Sequence, residues 1–332
     1  MHTFKAWVVR ENDNKEVTYQ LEDVDINQLD EGEVIIEVHY SSVNYKDMLG
    51  FQTKGGVIRH YPMIPGIDLS GVVVESNAEE IKAGQKVVIT GRALGVKHTG
   101  GLSEYARVPA SWVFPIPDTL DLKDAMIYGT AGFTAAQSVY ELESHGMSPE
   151  NNPHILVTGA SGGVGSIALS ILHKIGYRNI SALIRKDYQE ELVLRLGAQQ
   201  VVWADDIGKK KTLGSRKYNY ILDTVGGEVA ATLIPQIYEK GSMSLCGNAG
   251  GIELNTTVMP LILRGINLLG INSIIDESDA DFYRLIWDKL ATDWHVAKNL
   301  TVEEISLDEV DQTITALKDG KHLGRTIVKV KG

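Results

Sequence analysis

His154-Ile155-Leu156-Val157-Thr158 runs directly into Gly159-Ala160-Ser161-Gly162-Gly163-Val164-Gly165, and then into Ser166-Ile167-Ala168-Leu169-Ser170-Ile171-Leu172-His173-Lys174-Ile175-Gly176. The order is an apolar strand, a glycine-rich turn and a helix. Glycines at 159, 162 and 165 let the chain turn tightly, bring bare amides against a pyrophosphate and pack the helix close to the sheet, while the helix amino terminus favours negative charge. The spacing is Gly-x-x-Gly-x-x-Gly rather than Gly-x-Gly-x-x-Gly, so a purely structural glycine turn is the competing reading. The setting between strand and helix favours a dinucleotide, with Ala160, Ser161, Gly162, Gly163 and Val164 as the phosphate-contacting residues. About 20 residues on, where an acidic side chain accepts from the ribose 2′-hydroxyl of NAD, the next strand ends Leu183-Ile184-Arg185-Lys186. A guanidinium and an ammonium suit the 2′-phosphate of NADPH. Solvated charges at a strand end are the alternative, and Asp187 remains available to NAD.

The same alternation extends on both sides of the turn. Strands are expected at 155–158, 179–184, 200–203, 220–223, 242–246 and 267–271, with helical segments between several of them, which argues for a doubly wound parallel sheet of Rossmann type. Before residue 124 the chain reads instead as short strands punctuated by glycine and proline, at 33–40, 71–75, 86–90 and 104–108. In the first of these Val34, Ile36, Val38 and Tyr40 alternate with Glu33, Glu37 and His39, the period of a half-buried antiparallel strand. The tail adds amphipathic stretches near 280–290 and 307–317 and a last strand at 326–330, and is expected to return to the first domain. The fold class is therefore α/β, with a β-rich domain over 1–124 and 275–332 and a Rossmann domain over 125–274.

Composition narrows the partners. The 332 residues, 43% hydrophobic and 23% charged, suit a two-domain globular chain. A formal net charge of −11 disfavours nucleic acid and anionic membrane surfaces. Cys246 is the single cysteine, which excludes an intrachain disulfide and fits a reducing, cytoplasmic setting; packing is its expected role. Residues 1–14 lack the apolar core of a secretory signal, and the most apolar runs are too short to span a bilayer. Lys209-Lys210-Lys211 reads as a solvated loop, with a coenzyme A phosphate as the alternative contact.

Asn44-Tyr45-Lys46-Asp47, Pro62-Met63-Ile64-Pro65-Gly66-Ile67-Asp68-Leu69-Ser70-Gly71, Gly129-Thr130-Ala131-Gly132-Phe133-Thr134-Ala135 and Gly324-Arg325-Thr326-Ile327-Val328-Lys329-Val330, together with the glycine turn, resemble the medium-chain dehydrogenase/reductase superfamily over essentially the whole chain. Ser42 to Asp47, Met63 to Asp68 and Thr257-Val258-Met259-Pro260-Leu261-Ile262-Leu263-Arg264 are similar to its YhdH/YhfP branch, which is quinone oxidoreductase-like and includes acryloyl-CoA reductases. The resemblance implies a GroES-like catalytic domain beside the Rossmann domain. Zinc-dependent members place a cysteine after the first strands and a Gly-His-Glu on the next; here Asn44 to Asp47 carries no thiol and Ile67 stands where histidine would ligate, so no metal is expected.

What the resemblance then implies is hydride transfer from NADPH to a conjugated double bond of a short enoyl thioester, such as acryloyl-CoA. Quinone reduction in the same cleft is the rival, and a non-catalytic NADPH-binding module is an alternative of another class. By resemblance Tyr45 lies beside the nicotinamide as positioner or proton donor, with Asn44 and Asp47 orienting its loop; a packing role is its competing reading. Thr130 and Thr134 would face the nicotinamide ribose and phosphate, or else cap a helix. Gly247, Asn248, Asn272 and Ser273 follow strand ends that open on the cleft. Arg325 would reach the pyrophosphate from the other domain, with a surface salt bridge as the alternative, and a homodimer through an edge strand at 267–271 is expected.

Overall fold

The computed structural model describes residues 3–274 and 279–331. In chain order its elements are β1 (Thr3–Glu11), β2 (Val17–Asp25), β3 (Val34–Val43), α1 (Tyr45–Gly50), β4 (Asp68–Ser76), β5 (Lys86–Thr90), β6 (Tyr105–Val108), β7 (Phe114–Pro115) and α2 (Leu122–Ser144). There follow β8 (Ile155–Val157), α3 (Gly163–Lys174), β9 (Ile180–Ile184), α4 (Glu190–Arg195), β10 (Gln200–Trp203), β11 (Tyr218–Asp223), α5 (Gly227–Leu233), β12 (Ile237–Leu245), α6 (Met259–Arg264) and β13 (Asn267–Gly270). The chain closes with α7 (Ala280–Ala291), β14 (Val302–Ser306), α8 (Val310–Lys318) and β15 (Arg325–Lys329). It separates into two compact units: Met1–Thr130 with Ile274–Leu285 and Val302–Gly332, and Ala131–Ser273 with Ile286–Thr301.

The first unit is β-rich. A hairpin of β1 and β2 accompanies a seven-stranded sheet in the order β14-β15-β3-β4-β5-β7, with β6 also paired to β3. The alternation read in β3 is real up to Val38: Val34, Ile36 and Val38 are fully buried and pack with Leu69, Val87, Ile89 and Ala106. A register shift against β4 between Val38 and Tyr40 then ends the alternation, and Ser41, Ser42 and Val43 are all buried. Such a bulge re-aims the strand, and it delivers a polar pair, Ser41 and Ser42, into the interior.

The second unit holds six strands, all parallel, in the order β10-β9-β8-β11-β12-β13. Counting β8 as first, that is 3-2-1-4-5-6, the doubly wound order whose switch point lies between β8 and β11. β8 and β9 are buried at every residue, as expected of a parallel sheet covered on both faces.

Two features differ from the sequence reading. The unit boundary falls at Thr130 rather than 124, and residues 286–301 group with the second unit, where Trp287 stacks near Phe133 (6.4 Å between centroids) and the His295 carbonyl accepts from Lys174 at 2.6 Å. β2 and β14 carry too many charged and polar residues to stand out by alternation alone. Among the described residues, no helix is long and apolar enough to cross a membrane.

Candidate functional site

Each unit carries its own cluster of candidate residues. In the first, α1 begins one residue after β3 ends. Asn44 caps it, with its backbone N–H donating to Asp47 Oδ2 at 2.9 Å. Asp47, Met48 and Gly50 are turned inward, which leaves Tyr45 41% exposed. Four residues of the expected site and three that had not been singled out meet beneath that tyrosine.

Asp68, first residue of β4, is fully buried. Its Oδ2 accepts from Ser42 Oγ (2.6 Å), Asn44 Nδ2 (2.8 Å) and the Thr130 amide (3.0 Å), and its Oδ1 accepts from the Thr130 hydroxyl. Asp47, also buried, accepts from the Ile67 amide at 3.0 Å as well as from Asn44. Burial, and then the neighbouring Asp68, raise its carboxyl to about 7, against the three N–H donors that favour the anion. Arg325 is the cation of the group. It is 1% exposed, and its guanidinium donates to Ile127 O (2.9 Å), Asn44 Oδ1 (3.1 Å) and Met126 O (3.5 Å). Burial draws its pKa down, while Asp68 and Asp47 hold it up.

Gly129 makes the assembly possible. At φ 50° and ψ −154° it interrupts α2, and a Cβ there would sit 3.1 Å from both Arg325 Nη2 and Ser42 Oγ. The interruption frees the Thr130 amide to point at Asp68, which thus serves as a remote amino-terminal cap for the rest of the helix.

Arg325 is therefore an internal cation of the first unit rather than half of a surface salt bridge, its bonds to Ile127 O, Asn44 Oδ1 and Met126 O using three of the five N–H donors of a guanidinium. Thr130 likewise commits its hydroxyl proton to a carboxylate.

In the second unit the expected cofactor residues lie at the carboxyl ends of parallel strands. The glycines of the turn have separate reasons. Gly159 has φ 56°, and a Cβ on Gly165 would come 2.8 Å from Ala160 Cα. Gly162 is the amino cap of α3, with no side chain capping it and no acidic residue in the first turn. The first bond into the helix is Ser166 N to Gly162 O, so the amides of Gly163, Val164 and Gly165 precede the ladder. Gly162, Gly163 and Val164 are half-exposed, whereas Ala160 and Ser161 are buried. Arg185 and Lys186 are exposed past the end of β9, their amides both donating to Gln189 Oε1 at 2.9 and 3.0 Å. Gly247 and the exposed Asn248 follow β12; exposed Asn272 and half-buried Ser273 follow β13. Thr134 is buried within α2, its carbonyl accepting from Ser138 Oγ at 2.8 Å.

The two groups that the fold suggests fare differently against these residues. Half-exposed amides with no internal counter-charge suit an anionic dinucleotide. A zinc ion does not fit the first unit: Asn44 is held by two carboxylates and the Arg325 cation, and Ile67 offers only its amide, already donated to Asp47. Among the described residues, no group of three or more histidine, cysteine or acidic side chains is arranged to hold a metal.

Comparison with known proteins places this architecture. Residues 30–118 match the model of the alcohol dehydrogenase GroES-like domain, and residues 163–289 that of the zinc-binding dehydrogenase. The chain is 40% identical to the "Putative quinone oxidoreductase YhfP" of Bacillus subtilis, over 99% of this chain and all of that protein. The chain belongs to the medium-chain dehydrogenase/reductase superfamily. It is 39% identical to the acrylyl-CoA reductase AcuI of Ruegeria pomeroyi, over 98% of this chain and 99% of that one. Of solved superfamily structures, Escherichia coli K-12 YhdH with bound NADPH superposes with a TM-score of 0.94 at 39% identity, covering 98% of this chain and all of that one. Bacillus subtilis yhfP with NAD bound superposes with the same score and identity, covering 99% and all. The resemblance to the YhdH/YhfP branch, read from short motifs, thus extends along the chain.

Asp68, Ser42 and Gly129 went unassigned by sequence reasoning although the motifs containing them had been quoted. Asp223, a fully buried acid at the end of β11, went unnoticed. A lone aspartate closing an apolar strand is the signal that would have found it.

Proposed function

We propose that the chain is a zinc-independent, NADPH-dependent reductase that delivers hydride to the conjugated double bond of a short enoyl thioester such as acryloyl-CoA, working in the cytoplasm. The observation that carries this reading is the pairing of an uncapped, half-exposed amide turn with a first unit whose metal-ligand positions are filled by Asn44 and Ile67. In this reading the second unit binds NADPH and the first carries the catalytic residues. The near full-length similarity to an acrylyl-CoA reductase supports the substrate class.

Bound NADPH supplies a hydride for the β-carbon. The protein then manages the charge that passes to the thioester oxygen and the proton that the α-carbon needs. Gly163 and Val164 offer amides to the pyrophosphate from the turn that Gly162 begins, its own amide donating to Gly159 O, and Arg185 and Lys186 neutralise the 2′-phosphate. Tyr45, exposed on a helix fixed from below by Asn44 and Asp47, is the candidate proton donor or nicotinamide positioner. Gly247, Asn248, Asn272 and Ser273 complete the nucleotide edge.

The name of the Bacillus relative favours a second reading, NADPH-dependent quinone reduction. NADPH oxidation measured side by side with acryloyl-CoA, crotonyl-CoA and a benzoquinone separates the two. A clear preference for acryloyl-CoA supports the proposal, a preference for the quinone supports its rival, and tight NADPH binding without turnover points to a binding module.

The chain further pairs with a second copy in this reading. β13 is the terminal strand of its sheet, and in the segment that leads into it Ile252, Val258, Ile262 and Leu263 are 82, 63, 70 and 56% exposed. An open strand edge flanked by apolar side chains is otherwise an aggregation hazard.

A further inference from the structure

One buried acid that the proposed reaction does not use ties together the carboxyl ends of β8, β11 and β12. Asp223 Oδ1 accepts from the Thr158 hydroxyl at 2.7 Å, and Oδ2 accepts from the Gly226 amide at 2.7 Å. Thr158 closes the circuit: its hydroxyl accepts the Thr224 amide at 2.9 Å, and its carbonyl accepts the Thr224 hydroxyl at 2.8 Å. The Asp223 carbonyl accepts both the amide and the thiol of Cys246, at 3.1 and 3.2 Å. The residue that leads into the glycine turn, the turn after β11 and the start of the loop after β12 are therefore joined through one side chain and its backbone.

The backbones these bonds connect are in contact. A Cβ on Gly159 would strike the Thr224 hydroxyl and come 3.2 Å from Val225 Cγ2; one on Gly227 would lie 2.7 Å from the Gly250 carbonyl carbon, and one on Gly247 2.7 Å from Thr224 Cα. Gly250 N also donates to Val225 O at 2.7 Å. None of the three turns shifts without displacing another.

We propose that Asp223 is the positioning residue of the phosphate site: by accepting from Thr158 and Gly226 at once, it fixes the backbone that aims the amides of Gly163 and Val164. The inference rests on the reading of that turn as the NADPH site. The carboxylate accepts both bonds, one on each oxygen. An amide has one acceptor oxygen and one NH2, so asparagine either loses the Gly226 bond or reverses the Thr158 bond and takes away the acceptor of the Thr158 hydroxyl proton. Hydrogen bonds weaken steeply with misalignment, so a small shift of the turn is felt by each amide that meets a phosphate.

Electrostatics alone predicts the opposite outcome. Removing a buried negative charge near a pyrophosphate would tighten NADPH binding, whereas loss of the positioning bonds weakens it. The test is calorimetric titration of wild type, Asp223→Asn, Thr158→Val and Thr158→Ser with NADPH and with adenosine 2′-monophosphate, which has a 2′-phosphate but no pyrophosphate. We expect Asp223→Asn and Thr158→Val to weaken NADPH at least about tenfold while Thr158→Ser, which keeps the hydroxyl, stays within about twofold of wild type. Adenosine 2′-monophosphate should bind all four proteins alike, and the turnover loss should lie in the NADPH KM rather than in kcat. Unchanged or tighter NADPH binding in Asp223→Asn and Thr158→Val overturns the inference, as does equal weakening of both nucleotides. A wild type that binds neither nucleotide overturns the cofactor reading and takes the inference with it.

Discussion

Replacing Arg325 by glutamine tests whether the buried network of the first unit is held by charge. The substitution keeps a polar group of similar reach and removes the one cation placed against Asp68 and Asp47. Two well-formed guanidinium bonds disappear, to Ile127 O at 2.9 Å and Asn44 Oδ1 at 3.1 Å. Removing one partner from a buried charged group typically costs about 3–5 kcal/mol, and we expect about 4 kcal/mol at pH 8 on that basis. A protein of ordinary stability, about 5–15 kcal/mol, survives this loss folded. The pH dependence gives the sharper signature. Asp47 is raised in the folded state to about 7 from an ordinary carboxylate value of 3.8. The native state therefore binds more protons than the unfolded chain between these values, and stability from this group is present at low pH and lost as pH rises through 7. Without Arg325 the Asp47 carboxyl is pushed further toward its neutral form, so the variant's deficit should be smallest near pH 5 and largest at pH 8. Urea unfolding followed by circular dichroism at pH 5, 6.5 and 8 measures this. Adding Asp68→Asn should recover part of the loss, with a coupling of about 2 kcal/mol in the double-mutant cycle. A deficit below about 1 kcal/mol, or one that does not change with pH, would refute the account.

Three further outcomes are expected. Arg185→Ala with Lys186→Ala should raise the NADPH KM about a hundredfold and leave that for NADH nearly unchanged, since two charge-assisted contacts to the 2′-phosphate are lost; an unchanged NADPH constant in steady-state assays would remove the assignment. Tyr45→Phe should lower kcat with acryloyl-CoA about a hundredfold, the low end for a positioned proton donor, with little change in the NADPH KM; full turnover would rule out proton donation. Ile262→Asp should shift the sedimentation coefficient from that of a dimer to that of a monomer without loss of helical circular dichroism, whereas a wild type that sediments as a monomer would end the pairing proposal.

The parts of the fold visible in the sequence are those where one physical rule dominates a segment. The apolar runs 155–157 and 180–184, buried on both faces, and the glycines between strand and helix made the parallel sheet legible. So did the alternation of Val34, Ile36 and Val38. β2 was not visible, because it carries Glu22, Asp23 and Asp25 and places only Val24 in the core cluster, whereas Phe4, Ala6 and Val8 alternate in β1 and went unread. The site divided in the same way. Gly159 and Gly165 announce themselves because no other residue fits their backbone. The surroundings of Arg325 were not legible, because only the tertiary fold brings Asn44, Asp68 and Ile127 around it from 281, 257 and 198 residues away in sequence.

The same network bears on the kind of substrate that the proposed reaction admits. A zinc ion in such a cleft would polarise a carbonyl directly and so make simple alcohols and aldehydes accessible. Asn44 and Ile67 leave no donor set for one, and the buried cation Arg325 is turned into the protein, where it donates to Ile127 O and Asn44 Oδ1 beside Asp68 and Asp47. Charge that develops on the substrate must then be carried mainly by the substrate's own conjugation, with hydrogen-bond donors such as the Tyr45 phenol assisting. An enoyl thioester meets that condition, because hydride addition at its β-carbon places the charge on an oxygen that the hydride does not touch. A quinone meets it as well, through its two conjugated carbonyls. An isolated alkene does not, having nowhere to put the charge. The buried Asp47–Asp68–Arg325 group enters this argument as the support of the tyrosine helix: Asp47 holds the Asn44 and Ile67 amides, and Arg325 holds Asn44 Oδ1.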